Sequence, residues 1–180
     1  MAMPFAGELL PGVRVQSLQR RHDARGDFVK TYAASTFNET SGEAFIMREE
    51  FYSTSARDVV RGMHLQIPPH EHTKVVCCVR GAVLDVLLDL RRGPGYGRVA
   101  SVMLSSDEPA IVVIPVGIAH GFRSLVDGTI MVYKTSSEHS PTHDVGIRWN
   151  SIGFDWGISN PLVSPRDAAH PVLAEFASPF

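Results

Sequence analysis

The sequence predicts a mainly β protein, a jelly-roll barrel with a few short helices. Short runs rich in Val, Ile, Leu and Thr recur every eight to twelve residues, and Gly, Pro and charged residues fill the gaps. Runs of that length bounded by turn residues read as strands, and their regular spacing marks a sandwich or barrel.

Taken in order, "VVRGMHLQ" enters the Pro-rich turn "IPPHEH". "KVVCCV" stops at Arg80 and Gly81, and "AVLDVLLDL" follows after a link short enough to predict a hairpin. "RRGPGYG" is a Gly/Pro loop, followed by "RVASVML", "AIVVIP", "AHGFRSL" and "TIMVYKT". Helix signals are few. Ser164 followed by Pro165 predicts a short helix in "SPRDAAHPVLAEF", since proline suits the first helical position. A further helical turn is expected around Ala33 to Thr40.

With 180 residues the chain is long enough for one well-buried core, and no repeat or linker divides it, so a single domain over 1–180 is expected. A net charge of -2 speaks against a general nucleic-acid binder, which needs a basic surface. Local arginines and lysines can still hold a small phosphate ligand. The start "MAMPFAGELLPGV" lacks the basic and apolar regions of a signal peptide, and no run approaches a membrane span. Cys77 and Cys78 are adjacent, so on a strand they point to opposite faces and do not pair. A reducing, cytoplasmic location is expected.

"RGMHLQIPPHEHTK" gathers three histidines, a glutamate and a lysine, and two chemistries could use them. "HEHTKVVCCVRG" resembles the first cupin motif and "PVGIAHG" the second, offering His70, His72 and His120 as metal ligands. The glutamate ligand of metal-binding cupins falls here on Val75 or Val76, which coordinate nothing. Lys74 stands two residues from His72, and a cation beside a divalent metal is unfavourable. His70 and His72 are therefore expected to be exposed loop histidines, with no metal.

The blocks "RGMHLQ", "CVRGAVLDVLLDLR", "IPVGIAHGF", "VYKT", "GIRWN" and "SPRDAAHPVL" together resemble the dTDP-4-dehydrorhamnose 3,5-epimerase family, in family order from about Arg25 onward. The resemblance implies a metal-free jelly roll, usually a homodimer, acting on a nucleoside-diphosphate 4-keto-6-deoxysugar. The C4 ketone acidifies the protons on C3 and C5, so enolisation followed by reprotonation from the other face inverts a centre. That chemistry needs a base, an acid across the ring and a positive charge near the oxyanion.

By resemblance His64 is the base and Asp167 its orienting carboxylate, Tyr133 the acid, and Lys74 the cation near the enolate oxygen. His120 is an implied sugar contact and Gln66 an implied substrate contact, and Arg25, Arg61 and Arg166 match or replace positions that hold the diphosphate. Asp144 matches a ligand-contacting acid, and His139 stands where the family has a stacking aromatic. Taken singly, Tyr133 reads as a core aromatic, Lys74 as a strand-end charge and Asp167 as a first-turn helix acid.

The base-recognition end departs from the pattern. Lys30 replaces a glutamate, a Gln-Asp-Asn run becomes Glu49, Glu50 and Phe51, and an aromatic pair becomes Glu138 and His139. Such exchanges alter the hydrogen-bond code offered to a pyrimidine. The carrier nucleotide, dTDP, CDP or another, and the choice of C3, C5 or both therefore stay open. Competing classes are a metal-dependent cupin enzyme, a non-catalytic sugar-nucleotide binder and a ketoisomerase on the same fold.

Overall fold

The computed structural model describes residues 8–34, 37 and 45–180. Twelve strands dominate the described residues: β1 (Arg14–Ser17), β2 (Arg20–Asp23), β3 (Gly26–Val29), β4 (Glu49–Ser55), β5 (Val60–Gln66), β6 (Lys74–Arg80), β7 (Ala82–Asp89), β8 (Val99–Ser105), β9 (Ala110–Ile114), β10 (Ile118–Ser124), β11 (Thr129–Thr135) and β12 (Asp144–Gly146). They form two five-stranded antiparallel sheets, ordered β1-β9-β6-β11-β4 and β12-β5-β10-β7-β8, and a separate β2-β3 hairpin. This is the jelly-roll expected.

Period-two burial explains the layering. Val76, Cys78, Met131 and Tyr133 of the first sheet meet Leu87, Leu104 and Phe122 of the second, filling the space between them. On the outside of the first sheet, Val75, Cys77 and Ile111 are covered by Phe37 and Phe45. Outside the second, Met63, Leu65, Val86 and Leu88 pack against Ile147, Ile152 and Trp156. Phe122, Leu87 and Met131 are at most 1% exposed, and each such burial contributes about 1.5–3 kcal/mol. Cys77 and Cys78 are both free and buried, one in each layer, as their alternation requires.

One expected connection is corrected. Arg80-Gly81 does not close a hairpin: β6 pairs with β9 and β11, whereas β7 pairs with β8 and β10. Both strands carry apolar residues on the faces turned toward each other, so they lie in opposite layers. Gly81, at φ +81°, turns the chain between the sheets, and a Cβ there would stand 2.6 Å from Thr129 Oγ1.

The helix at Ser164 is present as α1 (Pro165–Ala168), with Ser164 Oγ accepting the Asp167 N–H at 3.1 Å. Of the helical turn expected at Ala33 to Thr40, residues 35, 36 and 38–40 lie outside the described residues. No helix among the described residues is long and apolar enough to cross a membrane.

Candidate active site

Between the sheets opens a cavity of about 370 Å³, lined by residues of both. The second sheet supplies Arg61, His64 and Gln66 from β5 and His120 from β10. The first supplies Lys74 from β6, Tyr133 and Thr135 from β11, and Glu49, Phe51 and Ser53 from β4. His139, Asp144 and Arg166 also line it.

Arg61 and His64 both face the cavity although three positions separate them. Strict alternation would put them on opposite faces. The pairing of β10 with β5 slips between His120↔His64 and Phe122↔Arg61, which accommodates one extra residue and restores both to the inside.

His64 Nε2 lies 2.8 Å from Asp167 Oδ1. Burial alone would raise the Asp167 carboxyl, but the His64 hydrogen bond and charge and the Gly62 N–H hold it at about 2. A carboxylate only accepts, so Nε2 carries the proton and His64 Nδ1 keeps the lone pair. Helix α1 brings Asp167 behind β5, and the Ser164 cap holds it there. His170, three residues on, stands edge-on to His64 with ring centroids 5.6 Å apart. Burial, then the neighbouring His64, depresses its pKa.

On the opposite wall, the Tyr133 hydroxyl lies 3.0 Å from Ser53 Oγ, and its ring stacks on Phe51 at 4.7 Å and 13°. Burial pushes the phenol well above its ordinary pKa, with Ser53 offsetting part of the rise, so it stays protonated. Lys74 is pushed down to about 8 by burial, against the pull of Asp144 and Asp85. Arg61 donates from Nε to Ser55 Oγ and from an Nη to the Thr54 carbonyl, both at 3.0 Å, which aims its guanidinium along the cavity wall. Together these groups offer an imidazole lone pair from one sheet, a protonated phenol from the other, and nearby cations.

The chain's similarities agree with that geometry. Residues 8–175 match the model of the dTDP-4-dehydrorhamnose 3,5-epimerase family. The chain belongs to this family.

It is an isomerase. A dTDP-4-dehydrorhamnose 3,5-epimerase of Shigella flexneri is 37% identical over 81% of this chain and 82% of its own. A dTDP-4-dehydrorhamnose 3-epimerase of Streptomyces niveus is 36% identical over 92% and 82% respectively. The crystal structure of a dTDP-6-deoxy-D-glucose-3,5-epimerase from Legionella pneumophila, in complex with dTDP-4-keto-L-rhamnose, superimposes with a TM-score of 0.89 at 28% identity, covering 94% of this chain and 92% of that one.

Several expectations for this epimerase change. His72 is not an exposed loop histidine: it lines the cavity, with Nδ1 near Gln66 Nε2 (3.1 Å) and Ser137 Oγ (3.2 Å). Burial, then the Lys74 charge, lowers its pKa to about 3, so it is neutral. The turn folds back because Gln66 braces it, donating to the His70 carbonyl at 2.8 Å and accepting the Ser140 N–H at 2.6 Å. Gln66 thus reaches the wall with its amide already occupied. His70 is half-buried against His143, ring to ring at 4.5 Å. His70, His72 and His120 do not converge into one ligand set. His120 Nε2 is instead engaged by Asp85 Oδ1 at 2.7 Å.

Arg25 is not brought to its own chain's cavity. It sits on the exposed turn of the β2-β3 hairpin, paired with Asp23 at 2.6 Å. Asp144 is paired with Arg166 at 2.8 Å and with His139 at 3.1 Å. Among the departures, Glu49, Phe51 and His139 line the cavity, Glu50 turns away to Lys134 at 3.1 Å, and Lys30 lines a different groove.

Sequence reading passed over Asp85, Ser53, Thr135 and His170. Asp85 had a signal, being an acid between the inward Val83 and Leu87 and in phase with them. The others are marked only by what folding brings beside them.

Proposed function

We propose that this epimerase inverts C3, C5 or both of a nucleoside-diphosphate 4-keto-6-deoxyhexose by enolisation, without a cofactor, in deoxysugar biosynthesis. The observation that carries the reading is the placement of His64 and Tyr133 on opposite sheets, lining one cavity. His64 Nδ1 removes the proton α to the ketone, and its Asp167 partner stabilises the imidazolium that forms. Lys74 stabilises the enolate oxygen, and Tyr133 returns a proton to the other face. His120, oriented by Asp85, contacts the sugar. Arg61 and Arg166 hold the diphosphate, and Asp144 and His139 border the nucleotide end.

The carrier assigned first is dTDP, as in the ligand of the Legionella structure. The second reading is CDP, favoured by Glu49, Phe51 and His139, which change the donors and acceptors in the cavity. A cytoplasmic location goes with such a substrate. A second copy of the chain is part of the reading, since the β2-β3 hairpin joins neither sheet and carries Arg25 away from its own cavity.

In D₂O, deuterium is expected to enter at C3, C5 or both when the protein meets a 4-keto-6-deoxy nucleotide sugar, with the dTDP and CDP forms run side by side. Exchange with neither carrier would overturn the reading, and a product with its carbonyl moved would make it a ketoisomerase.

The role of Lys74 predicts a pH profile. A depressed pKa means that Lys74 is charged below about 8 and neutral above it. The value of kcat/KM is therefore expected to fall along an alkaline limb near pH 8. A profile that falls only at roughly pH 10, the ordinary lysine range, would remove Lys74 from the oxyanion site.

A further inference from the structure

Behind His64, on the side away from the cavity, the base and its carboxylate meet a third group that enolisation does not use, His170. Nε2 of His64, a carboxylate oxygen of Asp167 and a ring nitrogen of His170 all lie within 4.8 Å of one another. His64 Nε2 is 2.8 Å and His170 Nε2 is 3.8 Å from Asp167 Oδ1. His170 Nε2 is buried and makes no hydrogen bond. A buried nitrogen without a partner is uncommon enough to require a reason.

Its position is set by the backbone. The His170 ring lies against Gly146 of β12, where a Cβ would come within 2.3 Å of Nε2, so only glycine lets the ring in. Two imidazoles and one carboxylate are a ligand set suited to zinc, with a fourth position left for water. Tetrahedral coordination places ligand atoms roughly 3.3 Å apart. The two distances to the carboxylate bracket that value, and the two imidazole nitrogens lie within 4.8 Å of each other, so the set closes by drawing the rings together.

We propose that His64, Asp167 and His170 form a site for a divalent transition metal, with Zn²⁺ the natural occupant, whose filling switches the epimerase off. The inference rests on the reading of His64 as the base. The metal takes the Nε2 lone pair, and the proton formerly on Nε2 moves to Nδ1, with no net proton released. Nδ1 then has no lone pair for the substrate. Neither Asp167 nor His170 lines the cavity, so the ion does not compete with the sugar nucleotide for space. Mg²⁺ and Ca²⁺, which prefer all-oxygen shells, are not taken.

The experiment titrates chelator-stripped protein with Zn²⁺ against a competing indicator dye, and with Co²⁺ as a coloured probe. One ion per chain is expected, with intense visible bands of low-coordinate Co²⁺. Deuterium wash-in should fall in proportion to occupancy, through kcat and not KM, and return on adding EDTA. His170→Gln should weaken metal binding by at least roughly 10–100-fold, the loss seen even for outer-sphere partners, and should leave metal-free turnover close to the parent's.

Unchanged binding in His170→Gln, or Zn²⁺ bound with wash-in unaffected, would overturn the proposal. The zinc absorption edge of the parent protein, reporting two imidazoles and a carboxylate or some other set, decides the matter even if the variant does not fold. Binding is read without substrate. A metal-free protein that lacks exchange therefore counts against the function, and an exchanging protein that binds no metal counts against the site alone.

Discussion

His64→Asn is expected to abolish deuterium wash-in, by at least the roughly 10²–10⁴-fold typical of a lost general base. Asparagine ends one atom short of the Nε2 position, so the Asp167 Oδ1 hydrogen bond now made across 2.8 Å is lost along with the base. Asp167 keeps the Gly62 N–H and the Ser164 cap, so the fold behind β5 keeps its partner. What disappears is the lone pair on Nδ1. The diphosphate contacts assigned to Arg61 and Arg166 are untouched, so calorimetric affinity for the sugar nucleotide should change little. Near-normal exchange in the variant would remove His64 from the role of base and return the search to Lys74.

Tyr133→Phe is expected to separate exchange from inversion. With the phenol gone, His64 can still remove a proton and return one to the same face. Deuterium should still enter with unchanged stereochemistry, while inversion falls by roughly 10²–10⁴-fold. Phenylalanine keeps the stack on Phe51, whose ring lies 4.7 Å away at 13°, so packing alone would not produce this result. The lost contact is the hydroxyl, held 3.0 Å from Ser53 Oγ. NMR of the product, comparing deuterium content with the fraction inverted, makes the measurement. Normal inversion would assign Tyr133 to packing only.

The strands that alternate or run apolar were legible because burial imposes their pattern. "KVVCCV" and "TIMVYKT" are β6 and β11 nearly to the residue. β4 was not legible. "EEFYSTS" is an edge strand whose inner face lines the cavity, so Glu49 and Ser53 break the apolar half of the alternation. The Arg80-Gly81 link was misjudged because a short link shows that the chain turns, but not whether it stays in its sheet. His72 was misjudged for a related reason: a Pro-rich turn reads as exposed until Gln66 is seen holding it inward.

By itself the sequence determined the β architecture and the cap at Ser164, because each depends on local pattern, while the residue types that enolisation needs were marked by the resemblance to the family. Only the tertiary structure decided which of them share a cavity. Arg61 and His64 come to one face through a register slip between β5 and β10, an event that belongs to the pairing of two strands distant in sequence. Asp167 reaches His64 across 103 positions, and Asp85 reaches His120 across 35. Arg25, equally prominent in the sequence, stays outside on its hairpin. Hydrogen bonds act over about 3 Å, and sequence separation carries no information about distances that short.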